Sequence, residues 1–300
     1  MHSHQMRNTV PPPWSVQVEL TEGCSRLCAF CGLNAIRRGP GDYKFLELRH
    51  ATTMAQSLTP FVPTARYEFA MHGEPTMNPA ALDIVREFRR RLPRAQLQLT
   101  TNGVTFRTGN LVEKLLELFT ALDFIVVDTY EPERALLQRR LREAHGRCGI
   151  QVVDFYADRV QVYGKNHLQR TVVIMDDISL RQGESLQRKL LNHAGSNPTM
   201  PIAQLHKTCA LPFRELSVCW NGDVNVCCMD WKHEAIMGNL LVDPARAVWH
   251  GERFQAARAT LAANGRDFDP CRRCTKGAGT RIGLLPKYDP PTLVQRALLP

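Results

Sequence analysis

Ten cysteines lie in this 300-residue chain, and seven of them fall into two sets. Three are packed into Cys24-Ser25-Arg26-Leu27-Cys28-Ala29-Phe30-Cys31, with three and then two residues between them. Four more are Cys209, Cys227, Cys271 and Cys274, while Cys148, Cys219 and Cys228 stand outside both sets. Disulfides are rarely kept in the cytoplasm, so this grouping points to metal ligation or redox chemistry. Three thiolates in one short loop can wrap a cube of iron and sulfide and leave its fourth iron open to a small molecule. A structural zinc site more often takes four protein ligands, and no histidine lies within the loop to complete one. The four-thiolate set can saturate a second cluster, but Cys271-Arg272-Arg273-Cys274 also suits a tetrahedral zinc ribbon.

The elements that must position these cysteines follow from periodicity. Trp14, Val16, Val18 and Leu20 alternate with polar residues, which predicts a strand running into the first cysteine loop. Further strands are predicted at Tyr67–Ala70, Leu97–Thr101, Phe124–Asp128, Gln151–Phe155 and Thr171–Met175. Helices are predicted between them, at Leu111–Phe119, Pro132–His145 and Leu180–Asn192. Another begins after Met77, with Asn78 as N-cap, Pro79 at the first helical position, and Leu82, Val85, Phe88 and Leu92 at helical spacing. This alternation predicts an α/β chain with a parallel sheet closed into a partial (β/α)6 barrel, whose chemistry sits at the strands' C-terminal ends. Beyond residue 197 the pattern changes: Val218-Cys219-Trp220 faces Val224-Asn225-Val226 across Asn221-Gly222, a hairpin signal. The expected division is a tail over 1–13, the partial barrel over 14–197 and a small C-terminal domain over 198–300.

The triplet, with the aromatic Phe30 directly before its last cysteine, resembles the signature of the radical S-adenosylmethionine superfamily. His72-Gly73-Glu74-Pro75 resembles that family's Gly-Glu motif, and Thr100-Thr101-Asn102-Gly103 resembles a segment that approaches the same cofactor. The resemblance implies a [4Fe-4S] cluster on Cys24, Cys28 and Cys31, with S-adenosylmethionine chelated to the open iron and reductively split to a 5'-deoxyadenosyl radical. It implies Phe30 as an adenine neighbour, Glu74 as acceptor for the methionine ammonium, and Gly73, Pro75, Thr101 and Asn102 around the cofactor. Cys209, Cys227, Cys271 and Cys274, with Gly238-Asn239-Leu240 and Trp249, resemble the SPASM and twitch extensions. Full SPASM domains carry more cysteines, so the implied auxiliary [4Fe-4S] cluster is single.

Single-cluster relatives of this kind include aminocyclitol and aminoglycoside dehydrogenases and epimerases. The expected reaction is therefore hydrogen abstraction from an amino sugar or cyclitol in natural-product biosynthesis, ending in epimerisation or dehydrogenation. An electron donor such as flavodoxin or ferredoxin is expected as partner. Radical modification of a precursor peptide is the second reading, and a zinc-binding interaction module the non-enzymatic third. Cys228, directly after Cys227, is the candidate hydrogen-atom donor, with Cys148 and Cys219 as alternatives. Asp128, Asp176 and Asp177 close predicted strands and together with Glu131 could hold a cationic substrate; His72, Asn192 and His193 are further pocket candidates. The net charge of +9 is not clustered, and Arg89-Arg90-Arg91 reads as a solvated helix end, so nucleic acid is not the expected partner. Apolar runs such as Phe124–Val127 are too short to span a bilayer, and Met1-His2-Ser3-His4 opens no signal peptide, so the cytoplasm is the expected compartment.

Overall fold

The computed structural model describes residues 10–39, 41–155, 157–158, 169–176, 192–202, 205 and 209–276. The helix expected from Leu180, apart from its last residue Asn192, and Asp177 lie outside them. The described strands are β1 (Ser15–Val18), β2 (Thr21–Glu22), β3 (Lys44–Phe45), β4 (Arg66–Phe69), β5 (Gln96–Thr101) and β6 (Phe124–Thr129). They continue with β7 (Gln151–Asp154), β8 (Thr171–Asp176), β9 (Glu215–Val218), β10 (Asp223–Asn225) and β11 (Ile236–Asn239). The helices are α1 (Leu48–Leu58), α2 (Ala81–Arg91), α3 (Leu111–Leu118), α4 (Arg134–Glu143), α5 (Ala245–Trp249) and α6 (Glu252–Ala262).

Nine strands form one sheet in the order β11-β10-β9-β1-β4-β5-β6-β8-β7. The six strands predicted for the barrel are mutually parallel, as crossover helices require. β8 lies between β6 and β7, so the last two barrel strands exchange places. The hairpin does not stand apart: β9 pairs in parallel with β1, Ser15 opposite Glu215 and Val18 opposite Val218, and β10 and β11 extend the same sheet.

Val16, Val18, Tyr67, Phe69, Leu97, Leu99, Ile125 and Val127 are buried in the larger core, on the face that the helices cover. The opposite face is polar in β1, β4 and β5, where Arg66 donates to Ser15 Oγ and Gln98 Oε1, and Thr100 Oγ1 donates to Glu68 Oε1. It turns apolar at Phe124, Val126 and Val173, which form a second small core. β1, β4 and β5 therefore alternate in character while β6 reads as a continuous apolar run.

Several boundaries differ from the sequence reading. α2 begins at Ala81, two residues after Pro79, because Asn78 serves a different purpose. Its Oδ1 accepts from Ala80 N, and its Nδ2 donates to Leu20 O at 2.8 Å and Leu46 O at 2.9 Å, stitching β1 and β3 to the turn before the helix. α4 is two residues shorter at each end than predicted. α1 was not predicted: its buried face is Ala51, Met54, Ala55 and Leu58, and two alanines give little hydrophobic contrast. The Arg89–Arg91 run does end α2, but it is paired, not merely solvated: Arg89 holds Asp123 at 2.6 Å, and Arg90 and Arg91 both hold Glu87. Asn78→Ala leaves two buried carbonyls without their donor. It is expected to destabilise the protein by about 3 kcal/mol and to lower a calorimetric melting temperature by roughly 5–10 °C.

Candidate active site

The first cysteine loop leaves the short β2–β3 ribbon and returns through a 3-10 turn over Gly32–Ala35. Cys31 N donates to Cys28 O at 3.0 Å, and Asn34 Nδ2 donates to the same carbonyl at 2.9 Å, so the loop is folded by its own backbone. Arg26 ties it to the loop after β6, donating to Glu133 Oε2 at 3.0 Å and Glu131 O at 2.5 Å, with its guanidinium 4.9 Å from the Tyr130 ring centre. Asn102 Nδ2 and Arg26 N each approach Cys24 Sγ to 3.4 Å. Burial raises the Cys24 thiol and pushes Cys31 up to about 11. Metal ligation takes thiolates, so a cation held by this loop would offset that cost.

Cys24, Cys28 and Cys31 open onto one cavity of about 180 Å³, which also receives Phe30, Gly73, Glu74, Thr101 and Asn102. The loops that end β2, β4 and β5 thus bring the three separated motifs to one place. Gly73 and Gly23 form an isolated parallel bridge, in which Glu74 N donates to Gly23 O at 2.8 Å. The fit is tight: a Cβ on Gly73 would lie 2.3 Å from both Gly23 O and Thr21 O. The Glu74 carboxylate is buried and heavily used. Oε1 accepts from Thr76 N, Thr76 Oγ1 and Thr101 Oγ1, and Oε2 accepts from Asn102 N at 2.6 Å. Burial raises its pKa against the pull of these bonds. One acceptor direction remains on Oε2 for an outside donor. Pro75 is buried and opens the turn that follows.

Of the other residues singled out in the sequence, Asp128 and His72 line the cavity. His193 stands beside Trp231 at 4.9 Å between ring centres, and burial lowers its pKa to about 4. Glu131 faces the cysteine loop through its carbonyl, and Asp176 ends β8. Asn192 clamps the C-terminal cysteines, donating to Arg273 O at 2.5 Å and accepting from Thr275 N. Cys148 is exposed in the loop between α4 and β7, away from these residues. Arg26, Tyr130 and Trp231 also line the cavity and were not singled out. Position within the first loop could have flagged Arg26, and closeness to Asp128 could have flagged Tyr130; nothing in the sequence marks Trp231.

Cys209, Cys227, Cys271 and Cys274 are all buried, and each lies close enough to another of the set for ionisation of one to disfavour ionisation of the next. Burial is the larger cause of their raised pKa values where a shift is seen. Buried Arg266 sits beside Cys209 and Cys271 and donates to Cys274 O. Lys276 N approaches Cys274 Sγ to 3.4 Å. Four converging thiols with a cation and N–H donors around them fit a thiolate-ligated metal centre. Gly238-Asn239-Leu240 frames this region: Asn239 Nδ2 donates to Asn221 O and Asp223 Oδ1, and Leu240 N donates to Gly222 O, locking a turn where Gly222 has φ +87°. The turn is wider than a two-residue Asn-Gly turn, spanning 219–222. Trp249 is a core residue, stacked under the Arg258 guanidinium at 4.1 Å. Cys228 is half-buried, does not line the first cavity, and turns its thiol toward Glu215.

Residues 18–161 match the family model of the radical SAM superfamily, and residues 209–275 match the SPASM iron-sulfur cluster-binding domain. The chain thus carries a radical SAM domain followed by a SPASM-type region. It is 23% identical to an S-adenosyl-L-methionine-dependent 2-deoxy-scyllo-inosamine dehydrogenase of Niallia circulans over 86% of this chain and 91% of that protein. Its fold is similar to a crystal structure of BtrN in complex with AdoMet and 2-DOIA, with TM-score 0.68 at 22% identity over 88% of this chain and 93% of the other. Native anSMEcpe with bound AdoMet and Cp18Cys peptide shares the fold more distantly, with TM-score 0.51 at 12% identity over 96% of both chains. Two [4Fe-4S] clusters and S-adenosylmethionine are therefore its cofactors, and both thiol sets fit the clusters. Among the described residues no helix is long and apolar enough to cross a membrane.

Proposed function

We propose that this enzyme takes a hydrogen atom from a carbon of a small amino sugar or aminocyclitol and oxidises it, as a step in natural-product biosynthesis. What carries the reading is the polar inner face of the barrel sheet beside the cysteine loop. Arg66, Glu68, Gln98 and Thr100 form a hydrogen-bonded network there, and Asp128 and Tyr130 line the cavity above it. Such a surface suits hydroxyls and an ammonium group, not an apolar chain. The relative named as a 2-deoxy-scyllo-inosamine dehydrogenase is matched over 91% of its length, which supports a small aminocyclitol-like substrate.

In this reading Cys24, Cys28 and Cys31 hold the first cluster, and Cys209, Cys227, Cys271 and Cys274 hold the second. Phe30 flanks the adenine, while Gly73, Glu74, Pro75, Thr101 and Asn102 bound the methionine end. The bound cofactors supply one-electron cleavage to a 5'-deoxyadenosyl radical and a place for the electron that oxidation releases. The chain's own residues then act as follows. Glu74, fixed by four donors, offers its spare Oε2 acceptor to the ammonium group. Asp128 is the acceptor for the hydroxyl proton that oxidation must shed. The division near residue 197 separates the cysteines of the first set from those of the second, although Asn192 and Trp231 reach across it. A flavodoxin or ferredoxin delivers electrons, in the cytoplasm.

Epimerisation is the second reading, favoured by one observation: burial and the adjacent Glu215 hold the Cys228 thiol well above its usual pKa, so it keeps the S–H that a hydrogen-atom donor needs. The test is turnover of aminocyclitols and aminoglycosides by anaerobically reconstituted protein in heavy water. Loss of two hydrogens from product, with one 5'-deoxyadenosine per turnover, is the expected result. Gain of one deuterium at carbon, abolished in Cys228→Ala, would establish the second reading, and turnover of peptides alone would sink both.

A further inference from the structure

The structure places a third group of metal-ligating side chains between the Gly-Glu motif and the hairpin. His72, Cys219 and His233 each contribute one ligand atom, and these atoms all lie within 4.8 Å of one another. His72 and Cys219 are buried, and His233 is half-buried. Neither cysteine set includes Cys219; His72 borders the first cavity, and no role there has been given to its ring.

The hydrogen bonds around the cluster are those of ligating imidazoles. His72 meets Cys228 O through Nε2 at 3.2 Å, and His233 meets Glu22 Oε2 through Nε2 at 2.7 Å. A carbonyl or carboxylate on the far ring nitrogen is the usual arrangement for a histidine bound to metal. In both residues it leaves Nδ1 for the cluster. His233 Nδ1 lies 3.5 Å from Cys219 Sγ. Zinc bonds of about 2.3 Å to sulfur and 2.0–2.1 Å to nitrogen, at tetrahedral angles, put those two atoms about 3.6 Å apart. His72 Nδ1 lies 2.9 Å from Glu19 Oε1, yet both atoms are buried without an aligned hydrogen bond. The other Glu19 oxygen is held by Trp220 N. Nδ1 of His233 also touches the Asn225 carboxamide at 3.1–3.3 Å, a contact that ligation would replace.

We propose that His72, Cys219, His233 and Glu19 form a structural zinc site that fastens the hairpin to the Gly-Glu motif. The donor set is mixed sulfur, nitrogen and oxygen, and three of its four side chains are fully buried, which suits zinc held for structure. Charge points the same way. Four carboxylates, Glu19, Glu22, Asp223 and Asp230, stand near the Cys219 thiol, a setting that favours a bound cation. The inference stands independently of the proposed function, since metal content is read without substrate.

The test uses the full chain, reconstituted anaerobically with iron and sulfide, supplied with zinc and desalted. Elemental analysis is expected to find about one zinc per chain beside the iron, and zinc-edge X-ray absorption to find one sulfur among nitrogen and oxygen neighbours. Cys219→Ser and His233→Gln should each lower zinc by about tenfold or more with iron retained. Absence of zinc overturns the proposal. So does a four-sulfur shell lost in Cys271→Ser, which would place zinc on the other cysteine set. If the variants fail to fold, the absorption spectrum of the unaltered protein decides alone.

Discussion

Cys28→Ala is expected to remain folded, to lose about four irons per chain and to form no 5'-deoxyadenosine above background. The loop does not depend on the Cys28 side chain for its shape. The Cys28 carbonyl, which the substitution keeps, accepts from Cys31 N and Asn34 Nδ2, and Arg26 and Arg37 brace the same loop through the Arg26 backbone and side chain. A melting curve close to that of the unaltered protein, together with iron counting and chromatography of the nucleoside, checks both halves. Unchanged iron content with lost activity would mean that Cys28 acts otherwise than as a ligand.

Gly73→Ala should be nearly as damaging for a different reason. The added methyl meets two carbonyl oxygens at 2.3 Å and an amide nitrogen at 2.7 Å, all of them backbone atoms of Thr21 and Gly23. No side chain can rotate away, so the bridge between the segments after β2 and β4 must open. Overpacking of this kind costs about 1–3 kcal/mol or more. Cleavage of S-adenosylmethionine should fall about 100-fold, because a displacement near 1 Å at reacting groups is worth that much. Iron at the first loop should be retained, which separates this variant from Cys28→Ala. Normal cleavage in Gly73→Ala would show that the bridge does not hold the cofactor.

Much of this was legible because chemistry and periodicity coincided. The Cys24–Cys31 spacing, Gly73-Glu74 and Thr101-Asn102 lie far apart in sequence, yet strand ends in a parallel sheet meet at one rim, and they line one cavity. β4, β5, β6 and β8 were legible from alternation and β-branched runs. α6 was not: its buried face is Phe254, Ala257, Arg258 and Leu261, and an arginine under Trp249 breaks the apolar period. Asn78 misled because a residue suited to capping a helix is equally suited to bridging two carbonyls. The pairing of β9 with β1, and the meeting of Cys219 with His72, join residues over 140 positions apart and leave no local mark.

That β9–β1 ladder also decides how the molecule could be cut. In residues 14–197 alone, β1 would present an unsatisfied row of amides and carbonyls along one side, the kind of surface on which foreign strands dock and aggregates grow. The cysteine-rich region is thus the sheet's own cover strip as well as a holder of thiols. Exchanging it between relatives would succeed only where the incoming β9 matches β1 residue for residue, Glu215 to Ser15 through Val218 to Val18.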